Sequence, residues 1–281
     1  MNIGIVGLGL IGGSIAKAIC RNTSHTVMGV DIDNTIVQKA RLLEAIDLEL
    51  NEDRVKICDI LIIALYPKDI VKWVTDNADN FKTGCIVMDC GGVKSYICNE
   101  LMPLAQQKSF CFIGAHPMAG LEKSGFDNAR GSMFENASII LTPPKGIDIE
   151  KLCELKKFWG SIGFTNVEIT SPEEHDRRIA FTSQLAHVVS SAYVKSSTAL
   201  TQHGFSAGSY KDMTRVARLN EKMWAELFLE NRDFLSSEIE TIIDNLIQYK
   251  KAIDDDDFDA LKQLLKEGRE CKEEADKGDI K

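Results

Sequence analysis

Residues 2 to 14, NIGIVGLGLIGGS, hold a short apolar run that ends at a glycine and gives way to a helical stretch. Gly7-Leu8-Gly9-Leu10-Ile11-Gly12 matches G-x-G-x-x-G, which is weak evidence alone and stronger between a strand and a helix. Gly7 suits a tight turn, Gly9 lets a pyrophosphate approach the backbone, and Gly12 lets helix and strand pack closely. The phosphates would meet free N–H groups at the positive end of the helix dipole. The next apolar run, TVMGVD, ends on Asp31, 19 residues beyond Gly12 (31 − 12). A carboxylate there accepts a hydrogen bond from a ribose 2′-hydroxyl and repels a 2′-phosphate, which favours NAD over NADP. The competing reading is a tight glycine turn beside an unrelated acidic cap.

Further along, a helix is expected over Val37–Ala45, and apolar runs recur at 59–65 (DILIIAL), 84–90 (GCIVMDC), 110–115 (FCFIGA), 137–142 (ASIILT) and 163–170 (GFTNVEIT). Runs apolar on both faces and separated by helical stretches predict an α/β fold, a doubly wound Rossmann-type parallel sheet covered by helices. Ligands of such sheets lie beyond the C-terminal strand ends. The loops to watch are therefore the glycine motif, Asp31, the YPKD turn after Leu65, Gly91-Gly92 in GGVK, and HPMAG. Position places Leu65 and Tyr66 beside the adenosine half, although Tyr66-Pro67 also reads as a plain turn.

The texture changes at Ser171, where serine, Pro172 and Glu174 spell a helix start with a capping box. Pro172 is the last proline, and helical patterns follow, with apolar stripes such as Met223, Leu227 and Phe234. We expect an NAD-binding domain over 1–170 and an all-helical substrate and dimerisation domain over 171–281. A helical domain of that size, without a second sheet, is expected to bury its apolar faces against another copy, as a homodimer.

Composition narrows the function classes. The 281 residues carry a formal net charge of −9 and no long basic cluster, which argues against nucleic acid and anionic membranes as partners. The run Asp254–Asp257 reads as a solvated turn between helices. Eight cysteines include no C-x-x-C pair, so zinc and disulfide frameworks lack support. Cys85, Cys111 and Cys153 lie in apolar runs and read as small core residues. With no signal-like N-terminus and no bilayer-length apolar run, the expected location is cytoplasmic.

His116 follows the strand at 110–115, on the ligand side of the sheet. A neutral imidazole there can take a proton from a substrate alcohol while hydride leaves for a nicotinamide. The alternative is a loop histidine bonded to backbone.

GLGLIGGS, the strand-end acid of VDID, DCGGVK, GAHPMAG with Glu122, TSQLAH and KDMTRVA, in this order, resemble the prephenate/arogenate dehydrogenases of tyrosine biosynthesis. HPMAG followed by glutamate, and DMTR, are the specific motifs; the glycine motif is not. The resemblance implies oxidative decarboxylation: hydride leaves the ring carbon bearing the hydroxyl, and the ring carboxylate departs as carbon dioxide. It gives His116 the role of base for that hydroxyl and Arg215 that of partner to the ring carboxylate, which a guanidinium binds bidentately. His187 would reach the substrate side chain. Lys211 and Trp224 would line the pocket, with a core position as the alternative for Trp224. Asp212 sits in the same motif, where Ser209-x-x-Asp212 also reads as a capping box. The family also implies a dimer through the helical domain, and this chain is expected to lack a fused chorismate mutase and an appended amino-acid-sensing domain. His175 resembles a family position too, but it falls within the first helical turn, where the alternative is that it only supports the interface. One departure stands out: the family commonly has a serine at Gly92 that contacts the catalytic histidine and the nicotinamide, and either a water or Ser95 replaces it or the site is less tightly organised. Two other readings are a β-hydroxyacid-type dehydrogenase, for which Lys195 is on offer, and a catalytically silent NAD-sensing module.

Overall fold

A computed structural model describes residues 1–121 and 123–278. The N-terminal half alternates strand and helix: β1 (Asn2–Val6), α1 (Leu10–Asn22), β2 (Thr26–Val30), α2 (Asn34–Leu42), β3 (Leu48–Glu49), α3 (Glu52–Val55), β4 (Ile60–Ile63), α4 (Pro67–Asn77), β5 (Ile86–Asp89) and α5 (Ser95–Lys108). Then come β6 (Cys111–Pro117), β7 (Ser138–Thr142), α6 (Ile149–Ser161) and β8 (Asn166–Ile169). The remainder is helical: α7 (Pro172–Ile179), α8 (Ala186–Tyr193), α9 (Gly208–Thr214), α10 (Glu221–Glu230), α11 (Arg232–Asp254) and α12 (Phe258–Gly278).

The strands form one sheet in the order β3-β2-β1-β4-β5-β6-β7-β8. All neighbours run parallel except β6 and β7. Alternation along the inner strands explains the two covered faces. Ile3, Ile5, Ile60 and Ile62 point into one core with Ile15, Ile19 and Trp159, and Val6, Leu61 and Ile63 point into the other with Ile70, Val74, Ile97 and Leu101. Every residue of β4 is buried, as an inner strand covered on both faces must be.

Several expectations shift by local chemistry. The helix expected at Val37 starts at Asn34, because the Asp33 carboxylate caps it by accepting from Thr35 N–H. The strand expected to break after Ala115 runs on to Pro117, because β7 pairs antiparallel beside it and matches Ile140 to His116. At α7, Ser171 caps as expected by accepting from Glu174 N–H, but the Glu174 carboxylate turns to Arg177 and Arg178 and does not close the box. Ser209 is no cap: α9 starts one residue earlier, after Ala207, with no side-chain cap. All eight cysteines are free; Cys85 is buried and Cys111 half-buried, while Cys153 lies on the exposed face of α6, a correction to its reading as core.

The chain divides into two compact units, Met1–Arg232 and Asp233–Lys281. The first contains the sheet and α1 to α10. The second consists of nearly all of α11 together with α12, joined through the exposed residues 255–257, and the Tyr249 hydroxyl donates to Leu264 C=O between its two helices. The acidic run is thus the solvated turn expected of it. Among the described residues no helix is long and apolar enough to cross a membrane, and no cluster of histidine, cysteine and acidic side chains could hold a metal.

Candidate active site

The glycine motif forms the turn from β1 into α1. Gly7 has φ +85°, and a Cβ there would stand 2.5 Å from Ala64 C=O, so the turn needs glycine both conformationally and sterically. A Cβ on Gly12 would stand 1.9 Å from Gly7 C=O, which records how closely helix and turn approach. Around Gly9 there is open space within 4 Å, and α1 starts with neither a side-chain cap nor an acidic residue in its first turn. The geometry leaves room for a phosphate where backbone N–H groups point outward. The Leu8 side chain is buried in the core, so only its backbone faces this turn. Asp31, half-buried, ties the turn to β2: its carboxylate accepts from Leu8 N–H at 2.8 Å and from Asp33 N–H at 3.0 Å. Leu65 packs beside Gly7, and Tyr66 is 39% exposed at the start of α4. These residues fit a dinucleotide: an open anion cradle, a strand-end acid and an exposed ring in one neighbourhood.

Past β5 the loop carries Gly91 and Gly92. Gly91 N–H donates to the Asp89 carboxylate at 2.8 Å, and a Cβ on Gly92 would lie 3.3 Å from the Leu227 side chain of α10. Asp89 also accepts from Ala115 N–H at 3.0 Å and pairs with the Lys94 ammonium, and both charged groups are fully buried. The bond from Ala115 N–H ties the end of β5 to β6 one residue before His116.

His116 is half-buried in β6. Its Nδ1 lies 2.9 Å from Nε2 of His175 on α7. His175 Nδ1 lies 2.7 Å from the Asp176 carboxylate, and that carboxylate accepts from Lys94 N–H and Ser95 N–H, each at 2.7 Å, at the start of α5. His175 and Asp176 are each 1% exposed. Burial, His175 and the Lys94 charge hold His116 well below the ordinary histidine value. Burial also lowers His175, against the opposing pull of Asp176. For Asp176 burial pushes upward, but hydrogen bonds from His175 and Ser95 outweigh it and the carboxyl stays below its usual range. The result is a neutral, half-buried imidazole at the ligand end of the sheet, backed by the buried His175 and Asp176.

The remaining candidates lie on the helices after the sheet. Ala180–Leu185, between α7 and α8, winds as a π turn, a departure from α geometry often found at functional sites. His187, next on α8, donates from Nδ1 to Ser183 C=O at 3.1 Å, and its ring packs on Trp224 with centroids 3.9 Å apart. Burial lowers His187, and the nearby Arg215 charge lowers it further. His187, Trp224 and Arg215 thus share one neighbourhood, and Trp224 is half-buried there, not in the core. Arg215 opens a short 3-10 turn after α9, while Lys211 and Asp212 lie exposed on α9. Asn231 joins the two neighbourhoods by donating to Asp176 C=O at 2.9 Å and to the Gln184 side chain in the π turn at 2.8 Å. Lys195, the residue on offer for β-hydroxyacid chemistry, is exposed after the end of α8. Glu122 lies outside the described residues. Sequence reasoning passed over Asp89, Lys94 and Asp176; the signal for Asp176 was its place beside His175 in the first turns of α7.

Comparison with known proteins adds independent findings. Residues 15–167 match the family model for the prephenate dehydrogenase nucleotide-binding domain, and residues 171–267 match that for the prephenate dehydrogenase dimerization domain. A cyclohexadienyl dehydrogenase of Zymomonas mobilis is 29% identical over 283 residues, covering 96% of this chain and 94% of that protein. The crystal structure of prephenate dehydrogenase from Aquifex aeolicus with hydroxyphenyl propionate and NAD+ superposes with a TM-score of 0.85 at 30% identity, covering 98% of each chain. That of the Synechocystis arogenate dehydrogenase does so with a TM-score of 0.82 at 26% identity, covering 98% of this chain and 100% of the other. Matched by both family models from the first helix into the last, and by relatives along almost its full length, the chain belongs to the prephenate dehydrogenase family.

Proposed function

We propose that this protein catalyses NAD-dependent oxidative decarboxylation of prephenate to 4-hydroxyphenylpyruvate in tyrosine biosynthesis, with arogenate to tyrosine as the alternative substrate pair for the same chemistry. The observation that carries the reading is the neutral His116, bonded to the buried His175 at the ligand end of the sheet, in a chain whose glycine turn and strand-end acid suit a dinucleotide. Bound NAD supplies the hydride acceptor. Gly7 to Gly12 would hold its pyrophosphate on backbone N–H groups, Asp31 its ribose, and Leu65, Tyr66, Gly91 and Gly92 would flank the rest. His116 would take the proton of the substrate hydroxyl as hydride leaves the same carbon. Arg215 would hold the ring carboxylate that departs as carbon dioxide, and His187, whose Nδ1 is taken by Ser183 C=O, would meet the substrate side chain through Nε2. Glu122, Lys211 and Asp212 complete the proposed substrate-binding set.

The functional division is proposed at residue 170, supported by the end of β8 at Ile169 and by the two family matches on either side. The match to a dimerization domain supports a homodimer built through the helical segment, and sedimentation giving a stable monomer at low micromolar concentration would refute it. Free cysteines throughout support a reducing, cytoplasmic location. The decisive assay follows NADH or NADPH formation by the purified enzyme with prephenate and with arogenate, each with NAD and with NADP. Turnover of prephenate with NAD is expected, and inactivity with both substrates would refute the proposed reaction.

A further inference from the structure

We propose that His175 and Asp176 form a positioning relay that fixes the proton of His116 on Nδ1 and leaves Nε2 as the base. This rests on the dehydrogenase reading above and assigns the device that prepares its proton acceptor. The Asp176 carboxylate is buried and accepts from Lys94 N–H, Ser95 N–H and His175 Nδ1. An ionised carboxylate only accepts, so His175 Nδ1 must carry hydrogen. A neutral imidazole has one donor and one acceptor, so His175 Nε2 carries the lone pair. At 2.9 Å from that lone pair, His116 Nδ1 must be the donor. One tautomer of His116 satisfies every partner, and in it Nε2 is unprotonated.

The surroundings maintain this state. Among the described residues, the charged and titratable groups that act on the two rings are Asp176 from α7, Lys94 from the loop before α5, and Asp89 from β5. Lys94 is paired with Asp89, so it opposes a second positive charge nearby without itself reaching either ring. When the substrate hydroxyl gives its proton to Nε2, His116 becomes an imidazolium whose Nδ1–H still donates to His175, and Asp176 faces the charge across one ring. No proton needs to leave His116 for the bond pattern to hold. Position 92 has no side chain to orient the imidazole from the β5 loop, so its orienting partner comes from α7. Asn231 holds that helix by its bond to Asp176 C=O.

The test uses the full-length protein labelled with 15N-histidine, with the His116 signals assigned by their loss in His116→Asn. Wild type is expected to carry the His116 proton on Nδ1. His175→Gln keeps an acceptor for that proton, so the tautomer should persist and kcat stay within about threefold. His175→Leu removes the acceptor, so the proton should redistribute between the two nitrogens and kcat fall about ten- to a hundredfold, with KM changed less than about twofold. A His116 proton on Nε2 in wild type overturns the relay. So does a His175→Leu enzyme with near-normal kcat, or an equal loss in both variants with the tautomer unchanged, which would mark His175 as a structural support. Should His175→Leu fail to fold, the wild-type tautomer and His175→Gln decide the matter. Failure of wild type to oxidise prephenate or arogenate would refute the proposed reaction instead, and the tautomer measurement, which needs no substrate, still judges the relay.

Discussion

Asp31 holds the glycine turn as well as facing the proposed ribose, so one substitution tests both bonds. Asp31→Ser removes the charge that would repel a 2′-phosphate and loosens the bond to Leu8 N–H. A hydrogen bond to a charged group is worth about 1.5–3 kcal/mol, so kcat/KM with NAD should fall roughly ten- to a hundredfold while that with NADP rises. Equal use of both cofactors by the unmutated enzyme would contradict the assignment. His116→Asn removes a base that acts in the transition state and should lower kcat by about 10²–10⁴-fold at little change in KM. Arg215→Gln should instead raise KM, because a carboxylate anchor binds ground and transition states alike. Steady-state kinetics on the two variants separates the roles. Gly92 does not have a positive φ, so a serine is conformationally allowed, and its Cβ would meet Leu227 at 3.3 Å, a contact relieved by a small shift. Gly92→Ser should fold and bind NAD normally. With His116 already held by His175, the added hydroxyl offers at most one neutral hydrogen bond, about 0.5–1.5 kcal/mol, so kcat should rise by no more than about tenfold. Loss of most activity in a folded, NAD-binding Gly92→Ser enzyme would mean that the glycine is itself adapted to the site.

Among the elements, the turn between β1 and α1 separates stability from binding. An alanine at Gly12 would press on Gly7 C=O at 1.9 Å, where only backbone can yield, and overpacking of this kind costs about 1–3 kcal/mol. An alanine at Gly9 meets nothing within 4 Å and would occupy the space proposed for the pyrophosphate. Thermal unfolding with NAD titration should therefore show Gly12→Ala with a lowered Tm, and Gly9→Ala with a normal Tm and weakened NAD binding. The same turn was the most legible feature of the sequence, because its spacing, its strand and its acid are local signals. The inner strands were legible too, since burial on both faces leaves unbroken apolar runs. β3 was not, because two exposed residues carry no periodicity. The end of β6 was misjudged because its last residues are held by a neighbour that lies later in the chain. His116 could be singled out by its place at a strand end. His175 was marked only by the resemblance, because its bond to His116 spans 59 residues and leaves no local signal. The caps at Ser171 and Ser209 looked alike in sequence, and only the first forms, because α9 begins ahead of its serine.

For the whole molecule, one buried and two half-buried histidines contribute to the response to acid. His116, His175 and His187 are all held below the ordinary histidine value, chiefly by burial. The unfolded chain then takes up protons at a pH where the folded protein does not. Their contribution to stability is full above the ordinary histidine range, near pH 6.5, and is lost as pH falls toward the folded values. Each such group steepens the loss by up to about 1.4 kcal/mol per pH unit. Tm should fall on going from pH 7 to pH 5, and His175→Gln, with one fewer buried imidazole, should fall less steeply. A flat profile would mean that the rings are protonated in the folded state. The π turn at Ala180–Leu185 constrains the molecule in a different way. It is wider than an α-helical turn, so loss of one residue there would let α7 and α8 run on as a single α-helix, and every position after it would rotate by about 100°. His175 would stay beneath β6, while His187 would swing off the face where it meets Trp224. The length of this stretch is therefore fixed by the register it sets, and the buried Gln184 within it is fixed by its bonds to Leu227 C=O and Asn231, whereas the turn at 255–257 is exposed to solvent.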